Sequence, residues 1–386
     1  MNFELSDDQR AFQQSARDFA AGEFAPHAAR WDAEGLFPRD ALAGAGRLGF
    51  CGLYASERHG GLGLPRLDAT LVFEELAAAC PSTTAYLTIH NMATWMVTRW
   101  ARPDVAALWG PALAAGDKLA SYCLTEPGAG SDAASLCTTA RLEGGHYVLS
   151  GAKAFISGAG ATDALVVMAR SGGAGAAGIS ALLVPADSPG IRFGRKEEKM
   201  GWNSQPTRTI AFDNVRVPAS HLLGEEGEGF RIAMKGLDGG RINIATCSVG
   251  AAQGALDAAR RYLHERSQFK RKLSSFQALQ FKIADMATGL VAARQMVRLA
   301  ASKLDAGSPQ ATVYCAMAKQ LATDAGFRIC NEALQIHGGY GYTRDYPLER
   351  FLRDARVHQI VEGTNEIMRV IVSRRMLETD TTEDLR

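Results

Sequence analysis

Residues 119–132, LASYCLTEPGAGSD, mark the point where the chain changes from helical to strand-like patterning, and this change decides the fold class. Short apolar runs follow, and each is bounded by Gly, Pro or Asp. They occupy residues 120–125, 146–156, 164–169, 181–184 and 207–217. Helical patterns are not interleaved with these runs, so a parallel sheet of strand–helix–strand units is not expected. We predict a β-barrel or β-sandwich domain over residues 119–226.

The segment before this change is helical. Ser6 and Gln9 have the spacing of a capping box, and Phe12, Ala16 and Phe19 then recur at helical spacing. This pattern predicts an N-terminal helical domain over residues 1–118.

The segment after residue 229 is helical again. Four or five helical patterns cover residues 230–378. The breaks between them fall near residues 270–275, 307–309, 337–342 and 363. A helical bundle is therefore predicted over residues 227–386, and the whole chain belongs to the α+β class with helices in the majority.

Composition narrows the function classes. The chain has 42 Lys and Arg against 41 Asp and Glu, so a nucleic-acid partner bound through a basic surface is not expected. No apolar run approaches the roughly 18 residues of a membrane helix, so no membrane partner is expected. The 7 Cys and 8 His lack metal-ligand spacing, which predicts no metal site. The acidic start, MNFELSDD, lacks a targeting pattern and favours a cytoplasmic location.

A glycine-rich turn, residues 128–132 (GAGSD), follows the first predicted strand. Glycines at this place let backbone N–H groups approach an anion or a cofactor ring. The pattern is not the G-x-G-x-x-G of a dinucleotide-binding helix, and an ordinary turn is the alternative interpretation.

Three C-terminal features also have two interpretations each. Residues 335–342 (QIHGGYGY) suit a helix C-cap, and their third glycine suits close approach of another chain or a cofactor. Glu362 follows two apolar residues and precedes Thr364, a predicted helix N-cap. It is either a desolvated general base or a surface residue at a helix start. Arg266 is either a pyrophosphate clamp or part of a solvated helix face.

Taken together, these motifs resemble the acyl-CoA dehydrogenase family along nearly the whole chain. Residues 122–132 (YCLTEPGAGSD) look like one family signature, and residues 335–341 (QIHGGYG) and 362–366 (EGTNE) look like the second. A narrower similarity, to isobutyryl-CoA dehydrogenases, lies in residues 89–92 (IHNM), 196–208 (KEEKMGWNSQPTR) and 234–245 (MKGLDGGRINIA). The resemblance implies an N-terminal helical domain, a middle β domain and a C-terminal four-helix bundle.

The resemblance also implies a reaction, the α,β-dehydrogenation of an acyl-CoA thioester. Glu362 stands at the family's base position, and the β-hydrogen would leave as hydride to flavin N5. A related subfamily carries its base immediately before the arginine that matches Arg241. Gly240 occupies that position here, so Glu362 has no rival. The backbone N–H of Glu362 and a flavin ribityl hydroxyl would polarise the thioester carbonyl.

By the same resemblance the cofactor is FAD. Thr125 and Ser157 would lie near the isoalloxazine with Phe155 beside it, where the family often has Trp-Ile-Thr in place of Phe155-Ile156-Ser157. The remaining expected FAD contacts are Tyr122, Leu124, Gly130, Ser131, Ile156, Thr364 and Glu366. The adenine-dinucleotide half would be held, partly across a subunit interface, by Arg266, Gln277, Gln335, Ile336, His337, Gly338 and Gly339. The expected substrate contacts are Ser131, Asp238, Arg241 and Gly363.

The sequence alone is compatible with several functions. The leading hypothesis is dehydrogenation of isobutyryl-CoA in valine degradation, with an electron-transferring flavoprotein as acceptor and a homotetrameric assembly expected from the family. The alternatives within the fold are 2-methylbutyryl-CoA, a short straight-chain acyl-CoA, or an acyl-CoA oxidase. The alternative of a different class is a catalytically silent helical assembly protein.

Overall fold

The computed structural model describes residues 4–378, and residues 1–3 and 379–386 of the first and third predicted domains lie outside them. The N-terminal part is helical. The predicted capping box is confirmed, because Ser6 Oγ accepts from the backbone of Gln9 and Gln9 Oε1 accepts from the backbone of Ser6. A π-helical turn, Ala20–Phe24, continues the first helix. The helices are α1 (Asp7–Phe19), α2 (Ala28–Glu34), α3 (Arg39–Arg47), α4 (Arg66–Ala79), α5 (Pro81–Trp100) and α6 (Pro103–Ala114).

The middle part is an eight-stranded sheet in the order β6-β7-β3-β2-β4-β5-β8, with β1 parallel to β4 beside this path. Its strands are β1 (Ala120–Cys123), β2 (Thr139–Glu143), β3 (His146–Ser157), β4 (Ala164–Arg170), β5 (Ile179–Pro185), β6 (Ile191–Phe193), β7 (Thr207–Pro218) and β8 (Leu222–Leu223). The predicted runs fall within β3, β4, β5 and β7, and the run over residues 120–125 extends two residues past the end of β1. The sequence patterns missed β2, β6 and β8, because two of these strands have only two or three residues and β2 exposes most of its side chains.

Two halves of this sheet pack their apolar faces against each other. One buried cluster joins Leu149 of β3 and Phe212 of β7 to Leu165 of β4 and Leu182 of β5. The opposite face of β4 and β5 packs on helices, and Val166, Met168 and Leu183 contact a cluster that includes Met92 and Met96 of α5. The strands therefore form a sandwich-like layer with the N-terminal helices against one side.

The C-terminal part is a helical bundle. A short hairpin, β9 (Ser267–Gln268) with β10 (Arg271–Lys272), joins its first two long helices. The helices are α7 (Gly229–Glu265), α8 (Gln277–Asp305), α9 (Ala311–His337), α10 (Gly339–Tyr342), α11 (Leu348–His358) and α12 (Asn365–Leu377). One apolar core unites α7, α8, α9 and α11, as Val249, Leu290, Ile329 and Phe351 illustrate.

The helix ends follow the local sequence signals. Gly338 ends α9 with a φ of 58°, a left-handed conformation that glycine adopts at low cost. Thr364 begins α12 as its N-cap and accepts from the backbone N–H of Ile367 at 3.3 Å, as predicted. Among residues 4–378 no helix is long and apolar enough to cross a bilayer. The domain boundaries after residues 118 and 226 stay predictions.

Candidate active site

A cavity of about 930 Å³ opens where the three parts of the chain meet. Its walls come from α5, from the loop after β1, from β3, from α7, and from the segment that joins α11 to α12. Many of the predicted site residues line it, namely Tyr122, Leu124, Thr125, Gly130, Ser131, Phe155, Ile156, Ser157, Arg241, Glu362, Gly363 and Thr364. Residues from opposite ends of the sequence therefore meet in one chamber.

Glu362 enters this cavity from a turn of unusual backbone conformation. Its φ is 57°, and that of Gly363 is 89°, so two consecutive residues are left-handed. A non-glycine residue in this region costs of the order of 1 kcal/mol or more and persists only where its surroundings hold it. The backbone N–H of Asn365 donates to the carbonyl of Gln359 at 3.0 Å and closes the turn between α11 and α12. The turn aims the carboxylate at the cavity.

The carboxylate of Glu362 is poised to accept a proton. Its Oε2 is buried and has no hydrogen-bond partner within the described part of the chain. Burial raises the pKa of Glu362 to about 7, while the cations Arg241 and Lys319 act in the opposite direction. Desolvation disfavours the charged form of an acid, and a pKa near neutrality suits a general base.

Gly240 on α7 lies directly against this carboxylate. A Cβ atom at position 240 would stand 2.4 Å from Glu362 Oε2, far inside van der Waals contact. The helix therefore has no room for a side chain here while Glu362 keeps its place. The sequence showed only that an acidic residue is missing at 240, whereas the structure shows that the absent side chain makes the space for Glu362.

Arg241 lines the cavity, and its neighbours hold it there. Its Nη1 donates to Asp238 Oδ1 at 2.7 Å, and Thr312 Oγ1 donates to Asp238 Oδ2 at 2.7 Å. The Nε of Arg241 is buried without a partner among residues 4–378. Asp238 does not line this cavity but bonds to Arg241, which does; its contact with the substrate stays a prediction.

The part of the cavity wall formed by β3 and the loop after β1 combines an exposed aromatic ring with backbone that no described side chain covers. A register shift in the β3–β7 pairing between Lys153 and Ile156 accompanies a φ of 56° at Phe155, whose side chain is 70% exposed. A Cβ atom added at Gly130, which also lines the cavity, or at Gly128 two residues before it would meet nothing within 4 Å. The hydroxyl of Tyr122 is buried and unpartnered among the described residues. An exposed ring, accessible backbone and an unpaired hydroxyl fit a planar flavin ring with polar edges.

A buried ion pair supports this wall, and the sequence patterns did not identify it. Lys153 Nζ donates to Glu126 Oε1 at 2.7 Å and to the carbonyl of Leu124 at 3.1 Å. Glu126 also accepts from the backbone N–H groups of Cys137 at 2.7 Å and Thr138 at 3.0 Å. These bonds anchor the loop after β1 to strand β3. The sequence feature that could have indicated the ion pair is Lys153 itself, a single lysine within a largely apolar predicted strand.

Lys153→Met is expected to lower the free energy of unfolding by about 3 kcal/mol, because it leaves the Glu126 carboxylate buried without its cation. Chemical denaturation of the flavin-free protein measures the change. Arg192→Met is the matched control, since Arg192 pairs with Asp213 in the same sheet but both are largely exposed. That control is expected to change stability by less than about 1 kcal/mol. Equal small effects of the two substitutions would contradict the anchoring role.

A second, separate pocket of about 450 Å³ gathers part of the predicted dinucleotide set, namely Arg266, Ile336, His337, Gly338 and Gly339. The ring of His337 stacks on Tyr262 with centroids 4.2 Å apart, and burial lowers the pKa of His337. Gln277, Gln335 and Glu366 line neither pocket. Lys319, near Glu362, precedes His337 by 18 residues on α9, or about 27 Å at 1.5 Å per residue. One chain alone therefore does not bring the two groups of predicted FAD contacts together.

A network behind the cavity fixes Trp202, which the sequence patterns also missed as a site residue. Trp202 lies on the wall with a φ of 55°. Its backbone N–H donates to Asp354 Oδ1 at 2.6 Å, and its Nε1 donates to His358 Nε2 at 3.2 Å. Burial raises the pKa of Asp354 to about 6 and lowers that of His358 to about 3. Across the described chain no group of His, Cys, Asp or Glu could hold a metal ion.

Comparisons with known proteins agree with this architecture. Family models match residues 6–117 (acyl-CoA dehydrogenase, N-terminal domain), 121–215 (middle domain) and 227–377 (C-terminal domain). The mitochondrial isobutyryl-CoA dehydrogenase of Bos taurus is 53% identical over 97% of this chain and 90% of its own. The butyryl-CoA dehydrogenase structure from Megasphaera elsdenii has a TM-score of 0.95 and 38% identity, covering 98% of this chain and 100% of its own. A chain in the electron transferring flavoprotein structure of Acidaminococcus fermentans has a TM-score of 0.95 and 41% identity, with the same coverage.

Proposed function

This chain belongs to the acyl-CoA dehydrogenase family of oxidoreductases, and from this membership we propose that it converts isobutyryl-CoA to methacrylyl-CoA in valine degradation. The 53% identity to the bovine isobutyryl-CoA dehydrogenase supports the branched substrate. The single structural observation that carries the chemistry is the buried, unpartnered Oε2 of Glu362 in a cavity of about 930 Å³.

In this proposal Glu362 removes the α-proton of the thioester. The unpaired Oε2 accepts it, and the raised pKa of Glu362 gives the carboxylate enough basicity for a weakly acidic carbon. The backbone N–H of Glu362 has no partner in residues 4–378 and can donate to the thioester carbonyl as negative charge develops. Such a donor stabilises the transition state, typically by about 3 kcal/mol.

The proposed cofactor is FAD, which when bound supplies the hydride-accepting chemistry that no side chain can provide. The wall made by Thr125, Phe155 and Ser157 would hold the ring. The second pocket, with Arg266 and His337, would hold the adenine-dinucleotide half of an FAD from a neighbouring subunit. The distance between the two pockets along α9 supports this sharing across a subunit interface. The proposed assembly is a homotetramer, as expected from the family. An electron-transferring flavoprotein is the proposed acceptor, in keeping with the Acidaminococcus fermentans similarity.

The test is anaerobic addition of isobutyryl-CoA to the purified flavoprotein. We expect the visible flavin absorbance to bleach faster with isobutyryl-CoA than with butyryl-CoA or 2-methylbutyryl-CoA. Faster bleaching with butyryl-CoA would remove the isobutyryl assignment and favour a straight-chain dehydrogenase like that of Megasphaera elsdenii. Release of peroxide at each turnover in air would instead identify an oxidase.

The bleaching rate at low substrate concentration is expected to rise with pH through about 7. Glu362 must be ionised to act as a base, so the rate should fall about tenfold for each pH unit below its pKa. Stopped-flow mixing between pH 5.5 and 8.5 measures this limb. A rate that is independent of pH over that range would place the proton acceptor elsewhere.

A further inference from the structure

Lys319 is a fully buried lysine on α9 that the proposed chemistry leaves without a role. Its Nζ donates to the carbonyl oxygen of Gly363 at 2.7 Å and to Asn365 Oδ1 at 2.8 Å. Its side chain is inaccessible to solvent. A buried ammonium group is costly unless it is hydrogen-bonded and near an opposite charge, so this placement calls for a reason.

The partners of Lys319 are themselves fixed. The Nδ2 of Asn365 donates to Thr323 Oγ1 at 2.9 Å and to Asp324 Oδ1 at 2.7 Å. These bonds turn the Oδ1 of Asn365 toward Lys319. One turn of α9 therefore binds the first residue of α12 through a small polar network.

The other bond of Lys319 acts on the strained turn. The carbonyl of Gly363 belongs to the second of the two consecutive left-handed residues, Glu362 and Gly363. Such a conformation persists only where neighbouring groups over-determine it. Thr364 caps α12 on one side of the turn, and Lys319 holds the peptide next to Glu362 from the other.

We propose that Lys319 is a positioning residue for Glu362: its amine ties the strained turn to α9, and its charge favours the carboxylate form of the base. The inference rests on the proposed role of Glu362. It explains why a cation is buried in a helix bundle with a backbone carbonyl and an amide as its direct acceptors.

Other charged and titratable groups lie near Glu362 and Lys319 and also affect their pKa values. Glu362 is near Arg241, whose cation acts in the same direction as Lys319, and near the phenols of Tyr54 and Tyr122. Lys319 also interacts with Asp324, Arg241, Glu366 and His358. Burial lowers the pKa of Lys319 to about 7, and Glu362 is the foremost group that opposes this shift. Removal of Lys319 leaves Arg241 as the cation beside Glu362.

Lys319→Met tests the proposal by the titration of Glu362 itself. With ¹³C-labelled glutamate, the carboxyl signal that disappears in Glu362→Gln identifies Glu362 in the ligand-free protein. Loss of a neighbouring cation disfavours the carboxylate, so its pKa is expected to rise by about one pH unit in Lys319→Met. The pH at which the bleaching rate reaches half of its maximum should rise by the same amount. Lys319→Met should therefore bleach more slowly than wild type at neutral pH and recover part of that rate at pH 9.

Thr84→Val is the control, because Thr84 of α5 is a fully buried, uncharged side chain whose hydroxyl donates to the carbonyl of Cys80, outside the network of Lys319. It is expected to leave the pKa of Glu362 and the pH of the half-maximal bleaching rate unchanged. Lys319→Gln replaces the cation with a neutral amide that can form hydrogen bonds inside the network, and it should show the same upward shift in the pKa of Glu362 if Lys319→Met folds poorly.

The outcomes separate this proposal from the proposed function. An unmoved Glu362 titration in folded Lys319→Met and Lys319→Gln would overturn the role of Lys319 even though wild-type protein bleaches with isobutyryl-CoA. A wild-type flavoprotein that bleaches with no short thioester at any pH would overturn the function, while the Glu362 titration would still report on Lys319.

Discussion

Glu362→Gln is expected to lower turnover by about 10³-fold or more, because the amide cannot accept the α-proton. The substitution keeps the shape of the side chain in a cavity whose wall at Gly240 tolerates no extra atom. Binding of the flavin and the thioester should therefore persist. Single-turnover bleaching, with thioester binding measured separately, distinguishes lost chemistry from lost affinity. Turnover close to that of wild type would move the base to another residue.

The same substitution has an opposite effect on stability. The folded pKa of Glu362, about 7, lies above its ordinary value of 4.5, so between these pH values the folded chain binds more protons than the unfolded chain. Its contribution to stability is thus greatest at low pH and is lost as pH rises through 7. Gln has no such penalty. Ligand-free Glu362→Gln should gain stability relative to wild type, by about 3 kcal/mol more at pH 8 than at pH 4.

Gly240→Ala is expected to lower turnover by about 10²-fold, because the new methyl group must displace the carboxylate of Glu362. The added Cβ would lie 2.4 Å from Oε2, and the flexible end of Glu362 is the part that can yield. A displacement of about 1 Å at a catalytic group commonly costs a rate factor of this size. Position 240 lies within α7, where alanine is favoured over glycine by about 1 kcal/mol. Thermal stability should therefore stay the same or rise while activity falls.

Gly22→Ala is the control for this substitution. Gly22 is exposed, and a Cβ atom there would meet nothing within 4 Å. It should retain the activity of wild type. If Gly240→Ala retained full activity as well, the close approach of α7 to the base would not constrain catalysis.

Much of the fold followed from local pattern. The capping box at Ser6, the glycine that ends α9 and the N-cap at Thr364 each depend on residues within a few positions, and each was predictable. Strands β3 and β7 were recognisable because they have 12 residues each, and β7 also alternates between buried and exposed residues over much of its length. Strand β2, with sequence TARLE and four exposed residues of five, carries too little apolar pattern to be found.

Site residues that belong to a sequence motif were predictable. Site residues whose role depends on a contact with a distant part of the chain were not. Glu362 could be identified from its neighbours and the family resemblance. The role of Lys319 depends on a contact with Gly363, 44 positions away, and no local pattern encodes it. Asp238 illustrates the same point, because its motif suggested a contact with the substrate, which stays a prediction, but gave no sign of its bond to Arg241. The division of the predicted FAD contacts between two pockets was likewise expected from the family resemblance alone, because no local pattern encodes it.

The residues that line the cavity extend from Ile89 to Ile371 in the sequence. The cavity is therefore complete only when most of the chain has been synthesised and has folded. In an unfolded chain the side chain of Glu362 is solvated, and its pKa is expected to lie near the ordinary value of 4.5. The pKa rises only when α7 and α9 have closed around the turn before α12, which lies near the C-terminal end. A chain truncated before residue 362 would thus contain every strand of the β domain but not the residue that acts as the proposed base. The raised pKa of Glu362 therefore depends on the packing of residues far apart in the sequence, with Arg241 on α7 and Lys319 on α9 beside it.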